Sequence, residues 1–310
     1  MSSYEKFNYL VRPAKQIERK LLIEGLHQLS ACGFPIRKYR YVGFGSPFYA
    51  DFLLFHKYLY IEDMLCVEGS DIKRRMKFNK PFPKVALHMG KASGVIPKLD
   101  RDQRHVVWVD YDYRLTPDML SDLSGFAATL RPESVLIVTV DADPRVFDDL
   151  PEDIVNQIRD FRRQKLDDEI GRWVDGGVKR SHLTRPALPT LYASVIRGRL
   201  HDALKVRKLE FLQLFNFSYA DGRQMLSIGG MIGSADEKKR LRSSDIYQLK
   251  FVNETEKPIV ISAPPLTQRE RLWLDQNLES PLKQFEMKSD DVAHYRRYYR
   301  YYPSYFEALL

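Results

Sequence analysis

Cysteine is scarce in this 310-residue chain: Cys32 and Cys66 are the only two, too few for a disulfide framework and without the paired spacing of a zinc site. A reducing, cytoplasmic setting is the expectation that follows. Long apolar runs are missing too. No uncharged stretch approaches the roughly 18–20 residues a membrane span needs, and the opening residues, MSSYEKFNYLVRPAKQIERK, hold no run of signal-peptide length. Neither membrane insertion nor secretion is expected, and no repeat of solenoid length is visible. What the chain does have is 44% hydrophobic and 29% charged residues, enough for one large core or two modest ones. Lys plus Arg exceed Asp plus Glu by 49 to 41, a formal +8, which permits an anionic partner without requiring one.

Periodicity organises the chain. Ile17, Leu21, Leu22 and Leu29 fall at helical spacing between Pro13 and Leu29, and Gly33 with Pro35 ends that pattern. Short apolar runs follow, each with a helical or loop segment behind it: Tyr39 to Phe44, Met64 to Glu68, Lys84 to His88, Val106 to Asp110 and Ser134 to Asp141. Such alternation predicts a parallel sheet with helices on its faces, the two most apolar runs lying at its centre. A long charged helix is expected from Pro151 to Val174, with Ile154, Ile158, Phe161, Leu166, Ile170 and Trp173 on its apolar side, and a second helix running through Leu204. Two further runs, Glu210 to Tyr219 and Gln224 to Ile232, flank Asp221-Gly222, a hairpin signal. Ile246 to Val252 and Pro258 to Ser262 suggest a separate small strand pair, and Thr267 with Glu270 has the spacing of a capping box.

The residues that carry chemistry cluster at the strand ends. Gly43 and Gly45 follow the first strand directly, and an acid, Glu68, ends the second about twenty residues on, placed to accept hydrogen bonds from a ribose diol. The third glycine of a dinucleotide fingerprint is absent, with Phe48 or Tyr49 near its place, which counts against an oxidoreductase. His88-Met89-Gly90-Lys91-Ala92 ends the third strand and Asp110-Tyr111-Asp112-Tyr113 the fourth. In a doubly wound sheet all of these face the crevice at the carboxyl ends of the strands. Asp110 and Asp112, with Asp141 and Asp143 one strand over, supply oxygens for a hard cation such as Mg²⁺, or else loop caps, a base and a substrate anchor.

Element order and residues together resemble a class I S-adenosylmethionine-dependent methyltransferase. Three pieces are similar, more narrowly, to a bacterial family described as O-methyltransferases: Arg12-Pro13-Ala14-Lys15 with Glu18-Arg19; Tyr41-Val42-Gly43-Phe44-Gly45-Ser46 with Asp51-Phe52 and His56; and Tyr298-Tyr299-Arg300-Tyr301-Tyr302-Pro303. The resemblance runs from about Arg12 to Tyr302. It implies a Rossmann-like α/β sheet closed by an antiparallel hairpin, with an N-terminal helical segment over 1–38, the methyltransferase-like domain over 39–235, a helical insertion at about 145–208 and a C-terminal extension over 236–310 packed on the same domain. It also implies that Gly43, Phe44, Gly45 and Ser46 pass under the cofactor, that Glu68 takes its ribose hydroxyls, that Gly90, Lys91 and Ala92 lie at the adenine, and that Asp110 and Tyr111 approach the methionine end. Lys91 stands where many such enzymes have an acid and cannot accept a hydrogen bond. Ser46 and Pro47 replace the more common third glycine.

Methyl transfer to a hydroxyl needs alignment, exclusion of water and a proton acceptor. Asp110, Asp112 and Tyr113 are the expected catalytic groups, and His56 and His182 are further base candidates, His56 more simply a packed histidine. Lys179, Arg180, Ser181 and His182 with Arg185 form a basic loop suited to an anionic acceptor. In the tail, Arg296, Arg297 and Arg300 alternate with Tyr295, Tyr298, Tyr299, Tyr301 and Tyr302, a pattern that serves either single-stranded nucleic acid or packing of a terminal helix. The expectation is O-methyl transfer from S-adenosylmethionine. The competing one is a non-catalytic module that binds a nucleotide or nucleic acid on the same scaffold.

Overall fold

A computed structural model describes residues 12–145, 158–279 and 287–303. Eight strands form one sheet: β1 (Arg40–Phe44), β2 (Met64–Glu68), β3 (Val85–Met89), β4 (His105–Arg114), β5 (Val135–Asp141), β6 (Glu210–Asp221), β7 (Arg223–Gly233) and β8 (Ile259–Ile261). Their spatial order is β3-β2-β1-β4-β5-β7-β6-β8. The first five are mutually parallel, and β7 runs antiparallel between β5 and β6. The order reverses between β1 and β4, so the crevice of an open α/β sheet opens at their carboxyl ends. All seven residues of β5 are buried, as a central strand covered on both faces requires.

Alternation along the strands divides the core in two. Tyr41, Cys66, Trp108 and Ile137 face one side, where α1 (Pro13–Ala31) and α2 (Ala50–Leu59) cover them together with α3 (Lys73–Phe78). Val42, Val107, Leu136 and Ile228 face the other, under α4 (Pro117–Thr129), α5 (Ile158–Ile170) and α6 (Ala187–Lys205). The charged helix begins at Ile158 as described; Ile154 and the stretch back to Pro151 lie outside the described residues. After the hairpin come α7 (Ala235–Arg242), α8 (Gln268–Gln276) and α9 (Ser289–Tyr298).

One expectation is overturned. Residues 246–252 do not pair with 258–262: Asp245–Gln248 is a short 3₁₀ turn, and Ile259–Ile261 instead joins the main sheet, parallel to β6 through Phe217 to Tyr219. The free edge of β6 supplies hydrogen-bonding partners that the 3₁₀ turn cannot, and β8 covers that edge.

The start of α1 is held from far away in the chain. Asp221, at the tip of the β6–β7 hairpin, accepts hydrogen bonds from Ala14 N and Lys15 N, both at 2.9 Å. Two amides that an isolated helix start would leave unpaired are thereby satisfied. Arg12 lies 3.9 Å from the same carboxylate.

Candidate active site

Beside β4 lie buried residues of α1 that the sequence marks only through a family motif. Lys15 is fully buried, and its Nζ sits 2.8 Å from Asp110 Oδ2, 2.9 Å from Glu18 Oε2 and 3.0 Å from the Tyr219 hydroxyl. It also lies 4.5 Å above the Trp108 ring. Burial alone would lower its pKa, but Asp110 and Glu18 outweigh that and raise it well above the ordinary lysine value. Glu18, equally buried, is pushed up by desolvation, with Lys15 opposing. Trp108 Nε1 donates to Thr139 Oγ1 at 3.0 Å, and Thr139 shares a 2.7 Å hydrogen bond with Ser227 Oγ, continuing the buried polar chain across the sheet. Beside it, Arg19 Nε binds Asp51 at 2.6 Å, in the first turn of α2. Helix α1 is therefore pinned by one ion pair to β4 and by another to the helix that follows β1.

The other predicted residues have the following surroundings. Glu68, 7% exposed at the end of β2, accepts from Ser70 N at 2.8 Å through Oε1, which orients its carboxylate at the rim. Gly45 N donates to Val67 O at 2.7 Å. A Cβ on Gly45 would come within 2.5 Å of Cys66 Sγ and 2.8 Å of Met76 Cε, and one on Gly43 within 2.3 Å of the Tyr41 hydroxyl. Packing beneath the turn therefore already demands both glycines. Ser46 accepts Tyr49 N through its carbonyl, and Phe44 stands edge-on to Tyr111 at 4.9 Å, on the opposite face from Lys15. Tyr111 donates to Asp122 of α4, and burial pushes its hydroxyl well up. Gly90 N donates to Glu68 O, Ala92 is buried, and Lys91 is exposed. Asp112 is exposed at the rim, while Tyr113 carries Arg114 over its ring at 4.5 Å, and Arg114 reaches on to Glu169.

Three of the four carboxylates already have a cation beside them. Asp110 is engaged by Lys15, Asp141 lies 3.6 Å from Arg223 and accepts Asp143 N, and Asp143 holds Arg145 through two side-chain hydrogen bonds. No group of three or more His, Cys, Asp or Glu suited to a metal exists among the described residues. The Mg²⁺ expectation for Asp110, Asp112, Asp141 and Asp143 is therefore withdrawn: Lys15, Arg223 and Arg145 take up the charges of Asp110, Asp141 and Asp143. Burial pushes Asp141 up to about 6. For Asp143 burial acts the same way, but the Arg145 hydrogen bonds overcome it and hold the group down at about 2.

Neither histidine serves the crevice. His56 lies near the far end of α2, with Nδ1 2.9 Å from Ile61 O and its ring 3.9 Å from that of Phe82. His182 accepts Lys179 N within the basic loop. In that loop Arg180 is already paired with Asp160, and Gln224 Nε2 ties the Arg185 carbonyl to the hairpin at 2.8 Å. Arg159, Arg180, Ser181, Leu183 and Thr184 line a cavity of about 340 Å³ there. The tail is a packing element: Tyr295, Tyr298 and Tyr302 are buried, their hydroxyls bound to Asp275, Val260 O and Pro264 O. Those rings are closed to nucleic acid.

The family model described as Putative O-methyltransferase matches residues 7–310. The chain belongs to that family. It is a family of enzymes, and the sheet is the Rossmann-like sheet of class I methyltransferases. Among solved structures, Trm1 from Pyrococcus horikoshii in complex with S-adenosyl-L-methionine is 9% identical over 72% of this chain and 56% of its own, with a TM-score of 0.47. An O-methyltransferase family protein from Burkholderia thailandensis is 13% identical over 70% and 56%, with a TM-score of 0.35. This member of the family thus spans just over half the length of each. No curated protein matches it. None of the helices among the described residues is long and apolar enough to cross a membrane.

Proposed function

We propose that this family member is an S-adenosylmethionine-dependent methyltransferase acting on an oxygen of an acceptor that carries an anionic group. The observation that carries the reading is the pair of carboxylates, Glu68 at the end of β2 and Asp110 within β4, on either side of the turn after β1. They fit the cofactor: Glu68 has one oxygen fixed by Ser70 N, leaving the other to accept from a ribose diol, and Asp110 keeps 19% of its side chain open beside the buried Lys15. Lys15, Glu18 and Asp110 together carry one more negative than positive charge, which suits a cationic group. When bound, the cofactor supplies an electrophilic sulfonium methyl group.

This chain's residues then have distinct tasks. Lys15 fixes the orientation of Asp110, and the Arg19–Asp51 pair holds α2 against the crevice. Asp112, exposed at the rim, takes the proton from the acceptor hydroxyl. Arg159, with Ser181 and Thr184, offers charged and neutral donors to an anionic group in the cavity of the basic loop, where Arg180 is committed to Asp160. Two free cysteines, Cys66 among them buried with its thiol pushed up to about 12, suit a reducing cytoplasm. Titration calorimetry of the full chain tests the cofactor directly. Binding of S-adenosylmethionine or S-adenosylhomocysteine is expected, weakened at least roughly tenfold by Glu68→Ala, the loss of about one charged hydrogen-bonding group; no heat with either ligand would refute the reading.

A further inference from the structure

The excess of cations is concentrated in one place. Residues 69–91 hold seven, from Lys73 to Lys91, against a single acid, Asp71, so that this stretch alone carries a net +6 of the chain's +8. All seven are exposed. Lys73, Arg74 and Lys77 lie on α3 and form no ion pair among the described residues, whereas Lys84 is partnered by Glu62. Lys84 beside the edge strand β3 serves the usual purpose of discouraging edge pairing. That purpose does not extend to the helix.

An aromatic ring stands among these charges. Phe78, the last residue of α3, is 89% exposed, and of the large hydrophobic side chains none of those described is more open. Helix α3 is nevertheless firmly seated: Met76 is fully buried, its carbonyl accepts the Tyr49 hydroxyl at 3.0 Å, and its Cε lies under Gly45. The cations and Phe78 are thus carried on a rigid element that abuts the turn after β1 and starts five residues beyond Glu68.

We propose that residues 69–91 form a binding surface for single-stranded nucleic acid, with Lys73, Arg74 and Lys77 on the phosphates and Phe78 stacked on a base. Cations alone would favour any polyanion; the exposed ring selects a ligand with an accessible π-face, which unpaired strands offer and duplexes do not. An anionic membrane fits less well, because a six-residue helix with one outward aromatic lacks the apolar face that an interfacial helix buries. The surface is independent of the methyl-transfer reading, since it needs neither cofactor nor catalysis.

Fluorescence anisotropy of the full chain without cofactor, using a fluorescein-labelled 20-nucleotide single-stranded RNA and its DNA counterpart, tests it over a series of KCl concentrations. The triple variant Lys73→Glu, Arg74→Glu, Lys77→Glu is expected to weaken binding more than tenfold and to flatten the log–log salt slope by about 2, at roughly 0.7 for each phosphate no longer neutralised. Phe78→Ala should cost on the order of 5- to 100-fold for single strands and leave the salt slope unchanged. All four side chains are exposed, and unchanged melting confirms that the variants fold. A control reversing Lys205, Lys208 and Lys239 to Glu matches the charge change elsewhere. Equal loss in the control and patch variants would mean binding follows net charge and would overturn the proposal. So would absent binding, undiminished binding by Phe78→Ala, or capture by phosphatidylserine vesicles in preference to the oligonucleotides.

Discussion

Lys15 makes three polar contacts from a fully buried position, and its removal would strand two carboxylates. Lys15→Met leaves Glu18 and Asp110 without their cation, and breaking a buried pair of this kind typically costs about 3–5 kcal/mol. Urea denaturation should show a loss of that order, partly recovered when Glu18→Gln is added so that one fewer charge is stranded. At the neighbouring rim, Asp141 and Asp143 have opposite pH signatures. Asp141 titrates higher when folded, near 6, so its favourable contribution is complete below about pH 4 and is lost as pH rises through 6. Asp141→Asn, which keeps an acceptor for Asp143 N, should therefore melt higher than the parent at pH 8, by at most about 3 kcal/mol in stability, and equal it at pH 4. Asp143, held near 2, adds stability above about pH 4 that disappears as pH falls through 2. Strand-end positions alone place all of these aspartates at the rim, yet they do not tell which has a cation beside it. Such pairings depend on neighbours that the local pattern does not encode.

At the scale of elements, local chemistry was largely self-announcing. Thr267 and Glu270 form the reciprocal cap that their spacing predicts, with Thr267 N donating to Glu270 Oε2 at 2.7 Å. Asp221-Gly222 turns the hairpin, with Gly222 at φ +108°. The same Asp221 also caps α1, a task invisible in its own neighbourhood because Ala14 lies 207 residues away. Asp221→Ala should cost about 1–2 kcal/mol in denaturant unfolding, and Asp221→Asn less, since one carbonyl oxygen still accepts. The strand pair expected over 246–262 failed for a related reason. Two short apolar runs suggest each other in sequence, but the open edge of β6 was the better partner for one of them.

Over the whole molecule, the C-terminal tail closes a circuit with the N-terminal helix. Lys20 Nζ donates to Tyr302 O at 2.7 Å, and the Tyr301 hydroxyl to Glu24 at 2.5 Å, while the Tyr298 hydroxyl donates to Val260 O of β8. Ending the chain after residue 288 removes these hydrogen bonds and should lower the melting temperature by roughly 5–15 °C, given about 2–4 °C per kcal/mol at this size. Tyr298→Phe, which removes one hydrogen bond and little volume, should cost about 1 kcal/mol. The +8 also changes meaning at this scale. The linear pattern of charge points to the basic loop and the Tyr/Arg tail, but the tail tyrosines are largely buried and Arg180 is paired, whereas the cations around α3 stand open.

The alternation of strands and helices, the hairpin, the capping box and the acids Glu68 and Asp110 beside the turn after β1 are legible in the chain, because each is written in the spacing or type of adjacent residues. Packing between distant segments decided that Lys15 meets Asp110, that Asp221 caps α1, that β8 completes the sheet and that Asp110, Asp141 and Asp143 each lie beside a different cation. Periodicity tells a residue which way to face. Which of many chemically equivalent charges it will then meet is settled by how distant segments pack, and the low polarity of that packed interior is what makes each pairing count.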